Sequence, residues 1–221
     1  MAETKECIET RVSVRSFKSD DVSDDIIISA IKTAQRTPSY KNSQPWQVAI
    51  VKGDKLKELS ALYIHLLEEN IPLNPDIPKP VSWPDEINIR MNETQNDKSK
   101  EFNINLSNPE IALKSKKANY RFFGAPCVIY LYQDKMLNEW SIFDMGAFAQ
   151  TLMLALWNKK IGSVPQAYLT DYSTQIKEFL GISQNKRLCL GISLGYPNYE
   201  SIMAVFRTKR ENVDSIIKWI R

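Results

Sequence analysis

In "VSDDIIISAIKTAQRTP", Ile27, Ala30, Ile31 and Ala34 recur at the spacing of one helix face. The pattern predicts a helix with Ser23 as its cap, Asp24 and Asp25 at the positive end of its dipole, and Pro38 as its stop. "QVAIVK", residues 47–52, is short and rich in β-branched residues, the mark of a strand. "DKLKELSALYIHLLEE" follows as an amphipathic helix. "APCVIYLYQ" (125–133) and "RLCLGISLGYP" (187–197) read as two further strands, the second closed by Gly195 and Pro197. Residues 141–160, "SIFDMGAFAQTLMLALWNKK", are apolar on nearly every side, which predicts a helix buried all round, at the centre of the fold or between subunits. "NVDSIIKWI" (212–220) reads as a short C-terminal helix.

The pattern breaks between residues 71 and 100. Pro72, Pro75, Pro78, Pro80 and Pro84 exclude a regular helix or central strand there. The polar run "NETQNDKSKE" after them reads as helical and exposed. A connection of this length is a functional loop, a lid or a partly disordered segment. It is an excursion from one domain spanning residues 1–221, not a second domain.

Composition narrows the class. At 221 residues, with 43% hydrophobic and 25% charged, the chain suits one globular unit with a sizeable core. A net charge of +3 from 29 basic and 26 acidic residues is too balanced for nucleic acid or an anionic membrane as main partner. Cys7, Cys127 and Cys189 are odd in number and widely spaced, so neither a disulfide framework nor a zinc site is indicated. The N-terminus lacks the apolar core of a signal peptide, and no apolar run reaches membrane-spanning length. The expectation is a soluble, reduced, cytoplasmic protein without a metal.

Familiar catalytic motifs are missing. The sequence has no G-x-G-x-x-G, no Walker-type loop and no G-x-S-x-G elbow. Its one histidine, His65, lies in a helical pattern without triad partners nearby and reads as structural. An enzyme built this way relies on a cofactor for its hard chemistry.

Two basic groupings stand out. In "ETRVSVRSF", Arg11, Ser13 and Arg15 alternate with Val12 and Val14, so in an extended segment they share one face. Two guanidiniums and a hydroxyl suit a phosphate, and a solvated edge strand is the plain alternative. In "FRTKRE", Arg207, Lys209 and Arg210 cluster, again as a phosphate site or a solvated turn. The stretch "TPSYKNSQPW" puts Pro38, Ser39, Asn42, Gln44 and Pro45 in one short connection ahead of Trp46. It is a stiff loop rich in hydrogen-bonding groups, and equally an ordinary turn.

In their order, "RVSVRSF", "TPSYKNSQPW", "FFGAP", "DMGAFAQTLMLALWNKKIGSVPQ", "GISLGYP" and "FRTKRE" resemble the nitroreductase family over nearly the whole chain. The resemblance implies an α+β, three-layer fold with a central mixed sheet flanked by helices, in an intertwined homodimer. It implies tightly bound FMN at the subunit interface, NAD(P)H as exchanging reductant, and hydride transfer through flavin N5 to a nitroaromatic, quinone or similar small acceptor. By the same resemblance Arg11 and Arg210, with Arg207, reach the phosphate, and Ser13 and Arg15 reach the phosphate, ribityl chain or pyrimidine edge. Pro165, Gln166 and Ala167 lie against the ring, and Asn119 makes a polar contact. Pro38, Ser39, Asn42 and Gln44 line the flavin from the neighbouring subunit. No side chain need act as a nucleophile. The chain departs from many relatives in carrying Gln166 where they carry Glu. Specialised flavin chemistry (enoate reduction, dehalogenation or flavin fragmentation) shares these motifs, and a non-enzymatic phosphate-binding module remains an alternative.

Overall fold

Strand β2 (Cys127–Asp134) is buried along almost its whole length, and its side chains alternate between two cores. Val128 and Tyr130 enter one core, while Cys127, Ile129 and Leu131 enter the other, as the two-residue period of a strand requires. A sheet that is apolar on both faces must be covered on both, which makes three layers. The protein is described from residue 3 to residue 221 in a computed structural model.

Four strands form the middle layer in the order β1 (Gln47–Lys52), β2, β4 (Lys186–Gly195) and β3 (Gly162–Gln166). Every adjacent pair is antiparallel. The mixed character expected of the sheet is confined to an isolated parallel bridge between Ser13 and Ser163, outside the named strands. Helices α2 (Asp24–Ala34) and α6 (Glu139–Asn158) cover one face. Ile27, Ala30 and Ala34 of α2 meet a core that includes Phe148, Leu152 and Leu156 of α6. Ser23 precedes α2, but its side chain makes no cap; its carbonyl alone receives the Ile26 and Ile27 amides.

The other face is covered by α3 (Gly53–Glu68), which inserts Leu56, Leu59, Tyr63 and Leu66 at helical spacing. Tyr120 of α5 (Pro109–Tyr120) stacks on Tyr63 at 4.9 Å, and Ile176 of α7 (Ser173–Phe179) completes this layer. The short α1 (Thr4–Thr10) and α8 (Ile202–Val205) flank the sheet edge near the Ser13 bridge.

The excursion is held down by charge. Residues 71–84 carry no helix or strand, yet the Asn74 amide donates to the Asp171 carbonyl at 2.8 Å. Asp76 accepts from Lys177 at 2.8 Å, from the Leu188 amide at 2.9 Å and from Lys135 at 3.0 Å. Lys79 pairs with Asp171, which is fully buried and also accepts from the Tyr120 hydroxyl at 2.9 Å. Burial opposes charge on both Asp76 and Lys177 and draws Lys177 down. On Asp76 that penalty is outweighed by the Leu188, Lys177 and Lys135 donors, which hold its carboxyl below the ordinary range. Three converging donors decide for a charged pair. Helix α4 (Asp85–Glu101) follows and buries none of its residues, as the polar run predicts.

The helix expected at 141–160 spans Glu139–Asn158 and is not enclosed by its own chain: Trp140 and Phe143 stay 60% and 74% exposed, which leaves a place between subunits open to it. One expectation changes. The C-terminal helix expected at 212–220 is absent, replaced by a single turn at Val213–Ser215 in a segment exposed throughout from Arg207 onward. Its spacing is helical, but Ile216, Trp219 and Ile220 stay largely exposed, and a helix this short is marginal without packing.

Candidate active site

The arginine segment is extended, and Val12 and Val14 are its buried side chains. The Val14 amide donates to the Ser163 carbonyl at 3.1 Å and the Arg15 amide to the Met203 carbonyl at 3.0 Å. A side chain at Gly162 would meet Val14 at 2.7 Å, so glycine is what lets this segment lie against β3. With the valines inward, Arg11, Ser13 and Arg15 project from the other side, as their alternation predicts.

These arginines are short of anions. Nη1 of Arg11 is buried and has no hydrogen-bond partner among the described residues. Burial, and then the like charge of Arg210, pull the Arg11 pKa down. Burial alone does the same to Arg15, whose Nη1 reaches only the Ser13 carbonyl at 3.2 Å. Among the described residues the sole arginine–carboxylate pair is Arg90 with Glu211, at 3.6 Å. Cations held together and partly desolvated without an acid create a demand for an anion.

The second basic grouping divides. Arg210 is exposed and donates to the Thr208 and Lys209 carbonyls at 3.1 and 2.9 Å, within electrostatic reach of Arg11. Arg207 is committed elsewhere: its fork donates to the Glu9 and Thr10 carbonyls, both at 2.6 Å, and closes the C-terminus of α1. Lys209 pairs with Asp97 of α4 at 2.9 Å.

Beside Arg15 opens a cavity of about 860 Å³, bounded by Asn119, Phe123, Tyr168 and Met203 and roofed by α4 and α5. Gln166 is buried and does not itself line the cavity, but it is tied to Asn119, which does. Its amide nitrogen donates to both the carbonyl and the side-chain oxygen of Asn119 at 3.1 Å, and its side-chain oxygen accepts from Ser193. Two expected site residues are thereby joined. Pro165 is partly buried in β3, and Ala167 is exposed where that strand ends.

The loop of residues 37–46 is preformed. The Ser39 hydroxyl accepts from the Gln44 amide at 3.0 Å, and the Tyr40 amide donates to Asp144 of α6 at 3.0 Å. Lys41, Asn42 and Gln44 hold φ of 51°, 57° and 46°. Left-handed backbone at non-glycine residues costs roughly 1–3 kcal/mol each and gathers at functional sites. Trp46 stacks on Phe148 at 4.8 Å and anchors the loop. Pro38, Asn42 and Gln44 are exposed, and none of the loop residues lines the cavity of its own chain.

Other chemistry is weakly provided for. Burial pushes the Cys127 and Cys189 thiols up to about 12, far from a reactive thiolate. His65 faces solvent. Among the described residues no cluster of three or more His, Cys, Asp or Glu side chains is placed to hold a metal, and no helix is long and apolar enough to cross a membrane. The sequence reading missed the Asp76, Lys79, Asp171 and Lys177 network, whose partners lie far apart in the chain. It also missed the face that α4 turns to the cavity, visible only as the spacing 87, 90, 91, 94, 95 and 98.

Fold and site together define a three-layer α+β protein with an unpartnered arginine nitrogen at Arg11 and a ring-sized cavity lined by Arg15. The family model described as Nitroreductase family matches residues 8–196, and the chain belongs to that family. It is 29% identical over 218 residues to Nitroreductase NfnB of Mycolicibacterium smegmatis, covering 97% of this chain and 91% of that protein. It is 28% identical over 209 residues to 4-nitrobenzoate reductase of Pseudomonas putida, covering 92% and 89%. The crystal structure of the FMN-dependent nitroreductase NfnB from Mycobacterium smegmatis in complex with NADPH superposes with a TM-score of 0.93 at 27% identity, over 98% of this chain and 97% of that one.

Proposed function

We propose that this protein is an FMN-dependent oxidoreductase that takes hydride from NAD(P)H and delivers it to a nitroaromatic, quinone or similar small acceptor. The observation that carries the reading is the buried, partnerless Nη1 of Arg11, within reach of Arg210's charge and four residues before Arg15, which lines a cavity large enough for stacked rings. The residues fit FMN. Arg11 and Arg210 would neutralise its phosphate, with Ser13 adding a hydroxyl, and a doubly charged phosphate answers the missing anion. Arg15, Asn119, Pro165, Gln166 and Ala167 would bound its ring. When bound, FMN supplies at N5 the centre that accepts and returns hydride. Arg15, partly desolvated and without a carboxylate partner among the described residues, would stabilise negative charge at the pyrimidine edge. The cavity walls would exclude water and stack the nicotinamide and the acceptor in turn.

The site is shared between two copies of the chain in this reading. Pro38, Ser39, Asn42 and Gln44 stand on a rigid loop away from their own cavity, placed to serve a neighbour's. Trp140, Phe143 and the exposed Ile216, Trp219 and Ile220 of the C-terminal segment need cover that one chain does not give. Burying a large apolar side chain is worth roughly 1.5–3 kcal/mol, so an intertwined homodimer is strongly favoured. Residues 1–221 then form one FMN-binding domain, with residues 71–100 shaping acceptor access. Three free cysteines suit the cytoplasm.

The test is a titration of purified protein with FMN, then NADH and NADPH oxidation with nitroaromatic and quinone acceptors. Tight FMN binding with acceptor-dependent oxidation is expected. Protein that binds no FMN, or binds it and oxidises neither nucleotide, overturns the proposal.

A further inference from the structure

The cavity is one-signed. Its charged lining residues are Arg15, Arg90, Lys98 and Lys114, with no acid among them. Arg90 is offset by Glu211, at 3.6 Å. Lys98 is not offset: no carboxylate lies within ion-pairing distance of it among the described residues, and its ammonium stands 5.9 Å from the centre of the Phe206 ring. Burial, and then the charge of Arg15, pull its pKa down, so its environment disfavours its charge. The acids of α4 lie off the cavity face; Asp97, one residue earlier, turns outward to Lys209. Helical spacing therefore gives this roof a polar, basic face over apolar walls such as Ile104, Leu106 and Phe123.

We propose that Lys98 selects acceptors, pairing with an anionic substituent, a carboxylate above all, carried directly on the acceptor's aromatic ring. The proposal rests on the function inferred above and names the acceptor class for that same site. FMN's phosphate has its own arginines at Arg11 and Arg210. The phosphates of a nicotinamide nucleotide stand many bonds from its ring, whereas a half-buried ammonium inside a ring-sized cavity meets charge attached to the ring itself. Apolar walls hold the ring, and Lys98 replaces the water that the carboxylate gives up.

The experiment uses the FMN-loaded protein and a matched pair of probes, 4-nitrobenzoate and its neutral methyl ester. The quantity read is the ratio of kcat/KM for acid over ester, in wild type, Lys98→Gln and Lys98→Arg. Wild type should favour the acid; Lys98→Gln should lower the ratio by about tenfold, and Lys98→Arg should keep most of it, as loss of one charge-assisted hydrogen bond implies. A second readout needs no turnover: benzoate should perturb the flavin spectrum of the oxidised protein, with a Kd about tenfold weaker in Lys98→Gln. Four results overturn the proposal. These are no acid preference in wild type, equal losses for acid and ester, a shifted flavin potential in place of a changed ratio, and an altered NADPH-over-NADH preference in place of a changed acceptor preference. A yellow protein with no acid preference sinks this proposal alone. A protein that cannot be loaded with FMN sinks the function it rests on as well.

Discussion

Replacing Asp76 with asparagine tests what pins the excursion. The Lys177 side chain is 1% exposed, and its ammonium has two acceptors: the Asp76 carboxylate and the Lys186 carbonyl at 3.1 Å. The substituted amide would still accept from the Leu188 amide but would leave Lys177 a buried charge without a counter-ion. Lys135, 43% exposed, simply turns to water. Removing one partner of a buried pair costs roughly 3–5 kcal/mol, and the surviving Leu188 contact puts this case at about 3. With a urea m-value of roughly 1–3 kcal/mol/M, the unfolding midpoint falls by about 1–3 M at fixed protein and FMN concentration. Adding Lys177→Met should restore most of the loss, because an apolar replacement of a buried pair is often neutral. The pH dependence has a definite sign. The folded-state pKa of Asp76 is depressed, so its contribution is complete above the ordinary carboxylate range and disappears as pH falls through the folded value. The gap between wild type and Asp76→Asn must therefore close on acidification. A loss under about 1 kcal/mol at neutral pH, or a double variant no better than the single, refutes the reasoning.

Arg11→Ala and Arg210→Ala should each weaken FMN binding about tenfold or more, read by flavin titration, since each removes a charge-assisted hydrogen bond. Gln166→Glu sets a buried carboxylate against two acceptor oxygens of Asn119 and should lower stability by about 1–3 kcal/mol in urea unfolding; an unchanged midpoint would show that Asn119 reorganises freely. Isolated mixed dimers of an Arg11→Ala, Arg210→Ala chain with a Ser39→Ala, Asn42→Ala chain should recover about half of normal flavin occupancy, because one site collects both lesions and the other none. No recovery would place both sets of contacts within one chain.

Local signals were readable where one segment decides its own state. "QVAIVK" became β1 with the expected bounds, and the helix before Pro38 ends at Ala34. The alternation in "RVSVRSF" foretold which side chains turn inward. The family was legible in the order of the motifs. Strand β3 escaped notice because Gly162 and Pro165 argue against a strand, yet it ends the row of four, where a proline is tolerated. Helix α5 has little apolar periodicity, although Asn108 as its cap and Pro109 in its first turn do mark its start. The C-terminal residues misled in the other direction, since their helical spacing serves a segment whose Ile216, Trp219 and Ile220 stay largely exposed. The charges that pin the excursion lie too far apart in the chain for any local pattern to show them. The basic roof of the cavity depends on how α4 sits over Arg15, which spacing within α4 alone does not reveal.

The most direct measurement is an anaerobic cycle on the purified, FMN-loaded protein, followed by absorbance. Addition of NADPH or NADH should bleach the flavin band, and a nitroaromatic added afterwards should restore it while being reduced itself. A flavin band that neither nucleotide bleaches, or that no nitroaromatic or quinone restores, would contradict the assignment of this chain as a flavin-dependent oxidoreductase.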